Sequence, residues 1–167
     1  MYGSLHDLAR RYGVLSEAEF LRQVSVPHLL FSRASPSRTT TTSLGVLTRE
    51  LSPAELQQAL AAVCAWPVQK SQANAFGQMI TVGRAPNNDI VIDHPRVSKF
   101  HVYLRRLGKD WTLSDAGSTN GTAVDGVQVP ARESVSIRSG STIVLGGAAT
   151  LEFLEPRELH ATLRSVA

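Results

Sequence analysis

Cysteine is nearly missing from this 167-residue chain. Cys64 stands alone, which excludes an intrachain disulfide and a zinc site of several thiolates and points to a reducing compartment. Long apolar runs are missing too. The richest stretch, Leu56 to Trp66, is interrupted by Gln57 and Gln58 and falls short of the ~18 residues a membrane span needs. The first residues, with Asp7, Arg10 and Arg11 among them, lack the continuous apolar segment of a secretion signal. The expectation is a soluble cytoplasmic protein with no membrane partner. A basic block is also absent. Residues 1–70 carry seven Lys or Arg against five Asp or Glu, and residues 71–167 carry ten against nine. Acids are interspersed nearly everywhere and neither half holds a block of Lys and Arg, so the counterion-displacing stripe of a nucleic-acid binder is not expected. With 43% hydrophobic and 19% charged residues, wholesale disorder, collagen and long coiled coil are excluded, and a folded domain plus a smaller region is expected.

Two helix starts are visible near the N-terminus. Ser16 precedes Glu19 and Ser52 precedes Glu55 by three residues, the spacing at which serine and glutamate satisfy each other's orphan amides. Pro53 fits the first helical position, and Leu56, Ala59, Leu60 and Val63 fall on one face, so this helix is expected to run until Trp66-Pro67 stops it. Pro27 to Phe31 and Gly45 to Leu47 are expected as short strands around SRASPSRTTTTS, a loop-like segment. From Met79 onward the period changes to alternation. MITV, DIVI, FHVYL, WTLS, TAVD, VQV, SVSI, TIVL and TLEFL follow one another, with Gly108, Gly117, Gly121, Gly126, Gly140 and Gly146 between or beside them. Short strands at this spacing predict a sandwich of antiparallel sheets, with Val102, Leu104, Leu113, Ile143, Leu145, Leu151 and Phe153 inward and a helix over Glu158 to Val166.

Three islands sit in the strand-rich part: Gly83-Arg84 followed by Asn88-Asp89-Ile90, Arg96-Val97-Ser98-Lys99-Phe100-His101, and Asp115 to Thr122 (DAGSTNGT). In this order they resemble the forkhead-associated (FHA) domain, a phosphothreonine-peptide module whose pattern is Gly-Arg, then Ser-x-x-His, then Asn-Gly-Thr. The resemblance implies a mainly β chain with an FHA-like sandwich of two antiparallel sheets over residues 66–156. A small, mostly helical region of unassigned role over 1–65 precedes it, and a short helix or tail follows over 157–167. It also implies that Arg84, Ser98 and Thr119 contact phosphate, that Asn120 holds the ligand main chain, and that Lys99 stands beside the phosphate. Arg96 falls where some members read the third residue after the phosphothreonine, and an arginine there favours an acid. His101 is similar to the family's buried histidine bracing the loops, with Gly83 and Gly121 as backbone requirements.

Elementary chemistry supports this use of these side chains. A phosphothreonine carries about −1.5 to −2 charges and three strong acceptors, and a guanidinium binds two of its oxygens at once without titrating. Hydroxyls supply short donors, and an amide that donates and accepts suits a peptide backbone. Asp89 and Asp115 are expected to stabilise turns.

The function implied is a phosphopeptide-binding adaptor in Ser/Thr kinase signalling, with a phosphothreonine protein as partner. Its competitor is a phosphate-independent FHA-like scaffold in an assembly such as a secretion apparatus. Catalysis by Ser98, His101 and Asp115 lacks context. GSTNG at 117–121 has threonine where a nucleophile elbow needs serine, no phosphate-cradling Gly-x-x-x-x-Gly-Lys occurs, and the five histidines lack ligand spacing. No enzyme activity, metal or cofactor is expected. Thr39 to Thr42, flanked by Arg33 and Arg38, is a candidate phosphorylation site for a neighbouring molecule's pocket, although none has an acid three residues on.

Overall fold

Serine caps decide where three helices begin. In the computed structural model, which describes residues 3–32 and 52–167, Ser4 Oγ accepts the Asp7 amide at 3.1 Å and starts α1 (Leu5–Tyr12). Reciprocal Ser16–Glu19 and Ser52–Glu55 pairs start α2 (Glu17–Gln23) and α3 (Pro53–Ala61), the latter with proline in its first turn. Both pairs sit at the positions the sequence indicates. Helix α1 is not anticipated from the sequence, yet Leu5 and Ala9 lie one turn apart and are both buried, the stripe a short amphipathic helix needs. The expected strand at Gly45–Leu47, the Ser/Thr-rich stretch and Thr39–Thr42 lie outside the described residues.

The chain divides into two units, Met1–Pro67 with Leu154–Ala167, and Val68–Phe153. In the first, β1 (Gly3–Ser4) and β2 (His28–Ser32) pair antiparallel with opposite sides of β3 (Val63–Pro67). This corrects the helix expected up to Trp66. Helix α3 ends at Ala61, and Val63 belongs to a strand. Pairing with β2 gives Val63–Pro67 a complete ladder and buries Val63 and Ala65, so tertiary pairing overrides the helical spacing. Leu5, Phe20, Leu30, Leu60, Leu159 and Leu163 fill the core, the last two from helix α4 (Pro156–Ser165). The His160 ring stacks on Phe20 at 4.9 Å, and its Nε2 lies 2.9 Å from the Leu15 carbonyl.

The second unit holds the alternating runs. They form β4 (Ile80–Gly83), β5 (Ile90–Val91), β6 (Val102–Leu107), β7 (Asp110–Asp115), β8 (Thr122–Val124), β9 (Val127–Val129), β10 (Ser134–Ile137), β11 (Thr142–Leu145) and β12 (Ala149–Leu154). One sheet has the order β10-β7-β6-β4-β5, and the other runs β12-β11-β8-β9. All seven residues expected inward are buried. Trp111 and Phe153, one from each sheet, meet with ring centroids 5.8 Å apart. The six glycines marked as turn residues all take φ between 62° and 90°. One detail departs from the all-antiparallel expectation: β4 and β5 pair parallel, Val82 with Ile90 and Gly83 with Val91. The loop between them brings the chain back in the same direction, and only two residues pair.

Strand direction collects the loops. β4, β7 and β11 end, and β6, β8 and β12 begin, at one end of this unit. The segments 84–89, 92–101, 116–121 and 146–148 therefore lie together there.

Candidate functional site

A buried frame holds these loops before any exposed group is considered. Asp115, at the end of β7, is 2% exposed. Its carboxylate accepts from the Gly117 and Ser118 amides and the Ser118 hydroxyl, each at 2.7 Å, and from the Thr122 hydroxyl at 2.5 Å. Burial alone would raise its pKa, but the donors from Thr122, Ser118 and Gly117 outweigh burial and hold it below its ordinary 3.8. Segment 116–121 is thereby fixed at both ends. This exceeds the turn role expected from sequence.

His101 joins that segment to the next. Its Nδ1 accepts the Ser98 amide at 2.9 Å, so Nε2 carries the proton and donates to the Gly121 carbonyl 3.1 Å away. The ring is fully buried, and burial pushes its pKa below 6.5, against the opposing Gly121 bond. Both ring nitrogens are committed to main-chain groups. The Ser98 hydroxyl turns instead to Thr119, so the histidine is not placed as a base for that serine.

Two further buried groups complete the frame. Asn88 Nδ2 donates to the Ala85 and Lys99 carbonyls at 2.8 and 2.6 Å, tying the loop after β4 to the Ser98 segment. At Gly83 a side chain would collide with the Lys99 carbonyl, so this position needs glycine for close approach of two backbones. Gly121 needs it for conformation, with φ 78°. Asp89 accepts from Lys70 Nζ at 2.9 Å, the Thr81 amide at 2.8 Å and the Ser71 amide at 2.8 Å. Burial opposes its ionisation, yet Ser71, Thr81 and Lys70 together depress its pKa strongly.

On this frame the structure brings the sequence-indicated residues together at the surface. The Arg84 amide donates to the Ser98 carbonyl at 2.9 Å, and its Nε donates to the Val97 carbonyl at 3.2 Å. Among the described residues its terminal nitrogens have no hydrogen bond or ion pair, and the side chain is exposed. Ser98 Oγ accepts the Thr119 amide at 3.0 Å and lies 3.5 Å from Thr119 Oγ1, leaving its own proton directed at a weak partner. Lys99 is exposed beside them. Asn120 Nδ2 donates to the Arg96 carbonyl at 2.9 Å, and Arg96 Nε donates to the Gly146 carbonyl at 2.7 Å. Sequence reasoning missed Asn88, Thr122 and Gly146 as supports, because residue type alone does not show which groups they meet: Lys99, Asp115 and Arg96, 11, 7 and 50 residues away. Chemically, the arrangement offers unpaired cationic nitrogens and two hydroxyls to a multiply charged anion.

Comparison with known proteins agrees with this architecture. Residues 80–146 match the family model of the FHA domain. The FHA domain-containing protein FhaB of Mycolicibacterium smegmatis is 34% identical over 71 residues, covering 40% of this chain and 46% of that protein. The oxoglutarate dehydrogenase inhibitor of Corynebacterium jeikeium is 39% identical over 64 residues, 38% of this chain and 42% of that protein. The crystal structure of the MEK1 FHA domain, at 17% identity, superposes with a TM-score of 0.51 over 83% of this chain and 96% of that one. The chain spans from 5% to 46% of the length of the curated relatives it matches.

Proposed function

We propose that the sandwich unit, which is an FHA domain, reads phosphothreonine in a partner protein and that the chain serves as a phosphopeptide-binding adaptor. The observation that carries this reading is the convergence of Arg84, Ser98 and Thr119: an exposed guanidinium tied by its own amide to the Ser98 carbonyl, beside two hydroxyls 3.5 Å apart. In the bound state Arg84 forks two phosphate oxygens, the Ser98 proton and the Thr119 hydroxyl donate to the phosphate, and Lys99 adds a point charge. Asn120, already holding Arg96 through its nitrogen, keeps its carbonyl oxygen for a peptide amide. Arg96 favours an acid after the phosphothreonine. A phosphothreonine partner is the product of a kinase acting on threonine hydroxyls, which puts the adaptor in Ser/Thr kinase signalling.

The test is titration of the chain with a phosphothreonine peptide library and matched phosphoserine and unphosphorylated peptides. Micromolar affinity, about −8 kcal/mol, is expected for phosphothreonine, weakening below about pH 6 as the phosphate takes a proton. Binding by Arg84→Ala as tight as wild type would overturn the mapped pocket.

A further inference from the structure

The sandwich unit has a second recognition-competent surface, on strand β6. The β6–β7 ladder continues to Leu107 opposite Asp110, whereas the β4–β6 ladder stops at Ile80 opposite Leu104. Ahead of β4 the chain turns aside, the Met79 amide donating to the Phe76 carbonyl at 3.1 Å instead of pairing with β6. Among the described residues, Arg105, Arg106 and Leu107 therefore have a strand neighbour on one side only. Between this open edge and the Phe76–Met79 turn lies a cleft of about 510 Å³. Its walls hold two large apolar side chains that remain in solvent, Phe76 at 51% and Leu107 at 61% exposure. Its charged lining residues are Arg105 and Arg106. At the adjoining hairpin tip Lys109 and Asp110 offset each other.

The cleft's floor is at the far end of β4 from Arg84. Ile80 opens that strand and Gly83 closes it, and Leu107 lies five residues, roughly 17 Å, along β6 from Val102. Its floor is thus remote from Arg84, while one wall, Phe76, stacks on Phe100 of segment 92–101 with ring centroids 5.6 Å apart. Arg105 is held over the Tyr103 ring at 5.1 Å, and Arg106 Nε donates to the Gly108 carbonyl at 3.0 Å, so both cations are already oriented.

From these observations we infer that this edge docks an extended acidic segment of a partner protein, with apolar residues at alternate positions. Strand addition satisfies the open main chain. Arg105 and Leu107 share one face of β6 and Arg106 lies on the other. Alternation therefore sends the apolar set of guest side chains to Phe76 and Leu107 and the acidic set toward Arg106, while the negative charge of the segment as a whole favours Arg105 too. No phosphate is required.

The full chain, titrated with a fluorescein-labelled peptide alternating glutamate with valine and phenylalanine, is expected to bind saturably and to shift the amide resonances of Ile80 and Arg105–Leu107. The Arg105→Glu/Arg106→Glu variant should bind at least about tenfold more weakly, and Leu107→Asp, at an exposed position, should do the same. Arg84→Ala should bind this peptide like wild type, so failure of the phosphothreonine reading leaves this inference standing, and the reverse also holds. A lysine version of the peptide should not bind. Equal binding of the lysine version, unchanged affinity in the charge-reversed variant, no saturation by about 1 mM, or attachment to phosphatidylserine vesicles in place of the peptide would each overturn it.

Discussion

Buried polarity is unevenly divided between the two units. In the sandwich unit Thr81, Asn88, His101, Ser114, Asp115, Thr122 and Ser141 are polar or charged and buried, whereas His28 and His160 fill that role in the helical unit. The helical unit is otherwise closed by leucine, alanine, valine and phenylalanine, side chains that exclude water without directional bonds. In the sandwich unit most of the buried polar groups end on loops. His101 reaches Ser98 and Gly121, Asn88 reaches Lys99, and Asp115 reaches Ser118. The lesson is that hydrogen-bonded buried groups are placed where surface geometry must be held, since directional bonds fix orientation in a way apolar packing does not.

The sharpest way to break this comparison is Asp115→Ala. It strands the Thr122 hydroxyl and two amides and should cost about 4 kcal/mol, read as a lowered urea midpoint through Trp111 in a Trp66→Phe background. A cost below about 1 kcal/mol would mean that the buried carboxylate does not organise the loop.

Next in size is acid destabilisation of the helical unit through His28. Burial pulls the pKa of this histidine from 6.5 to about 4, against the opposing Val26 carbonyl bond. Below pH 6.5 the unfolded chain takes up a proton that the folded chain refuses, so this contribution is complete above 6.5 and declines as pH falls toward 4. At about 1.4 kcal/mol per pH unit the loss reaches about 3 kcal/mol. His28→Gln should flatten the slope in that window, and an unchanged slope would place the loss elsewhere.

Arg84→Ala should separate binding from folding. It is expected to weaken phosphothreonine-peptide binding by about 2 to 3 kcal/mol while moving stability by less than about 0.5 kcal/mol, measured by calorimetric titration and urea unfolding of the same preparation. The smallest effect is the converse: Ser52→Ala should cost about 1 kcal/mol through its lost cap and leave peptide affinity unchanged.

Much of this was legible in the sequence where a local rule governs. Strands β6 through β12 announce themselves by alternation, the glycine positions by the turns they serve, and α2 and α3 by serine and glutamate three apart. The candidate site was legible as residue types: Arg84, Ser98 and Thr119 stand out by their side-chain chemistry, and the structure ties the Arg84 amide to Ser98 and sets the Ser98 and Thr119 hydroxyls 3.5 Å apart. Non-local effects were not. Val63 fits a helical stripe as well as a strand, and only its partner Ser32 decides. Asn120 has the chemistry to hold a ligand backbone, yet its nitrogen holds Arg96, which depends on how two loops meet.

Gly83 and Arg84 are neighbours under opposite constraints. One is sealed against the Lys99 carbonyl, with no volume for even a methyl group; the other stands in solvent. A saturation library sorted for cellular abundance should therefore empty at the first codon and stay full at the second. Sorted for capture on a phosphorylated bait, the same library should collapse to a single residue type at both.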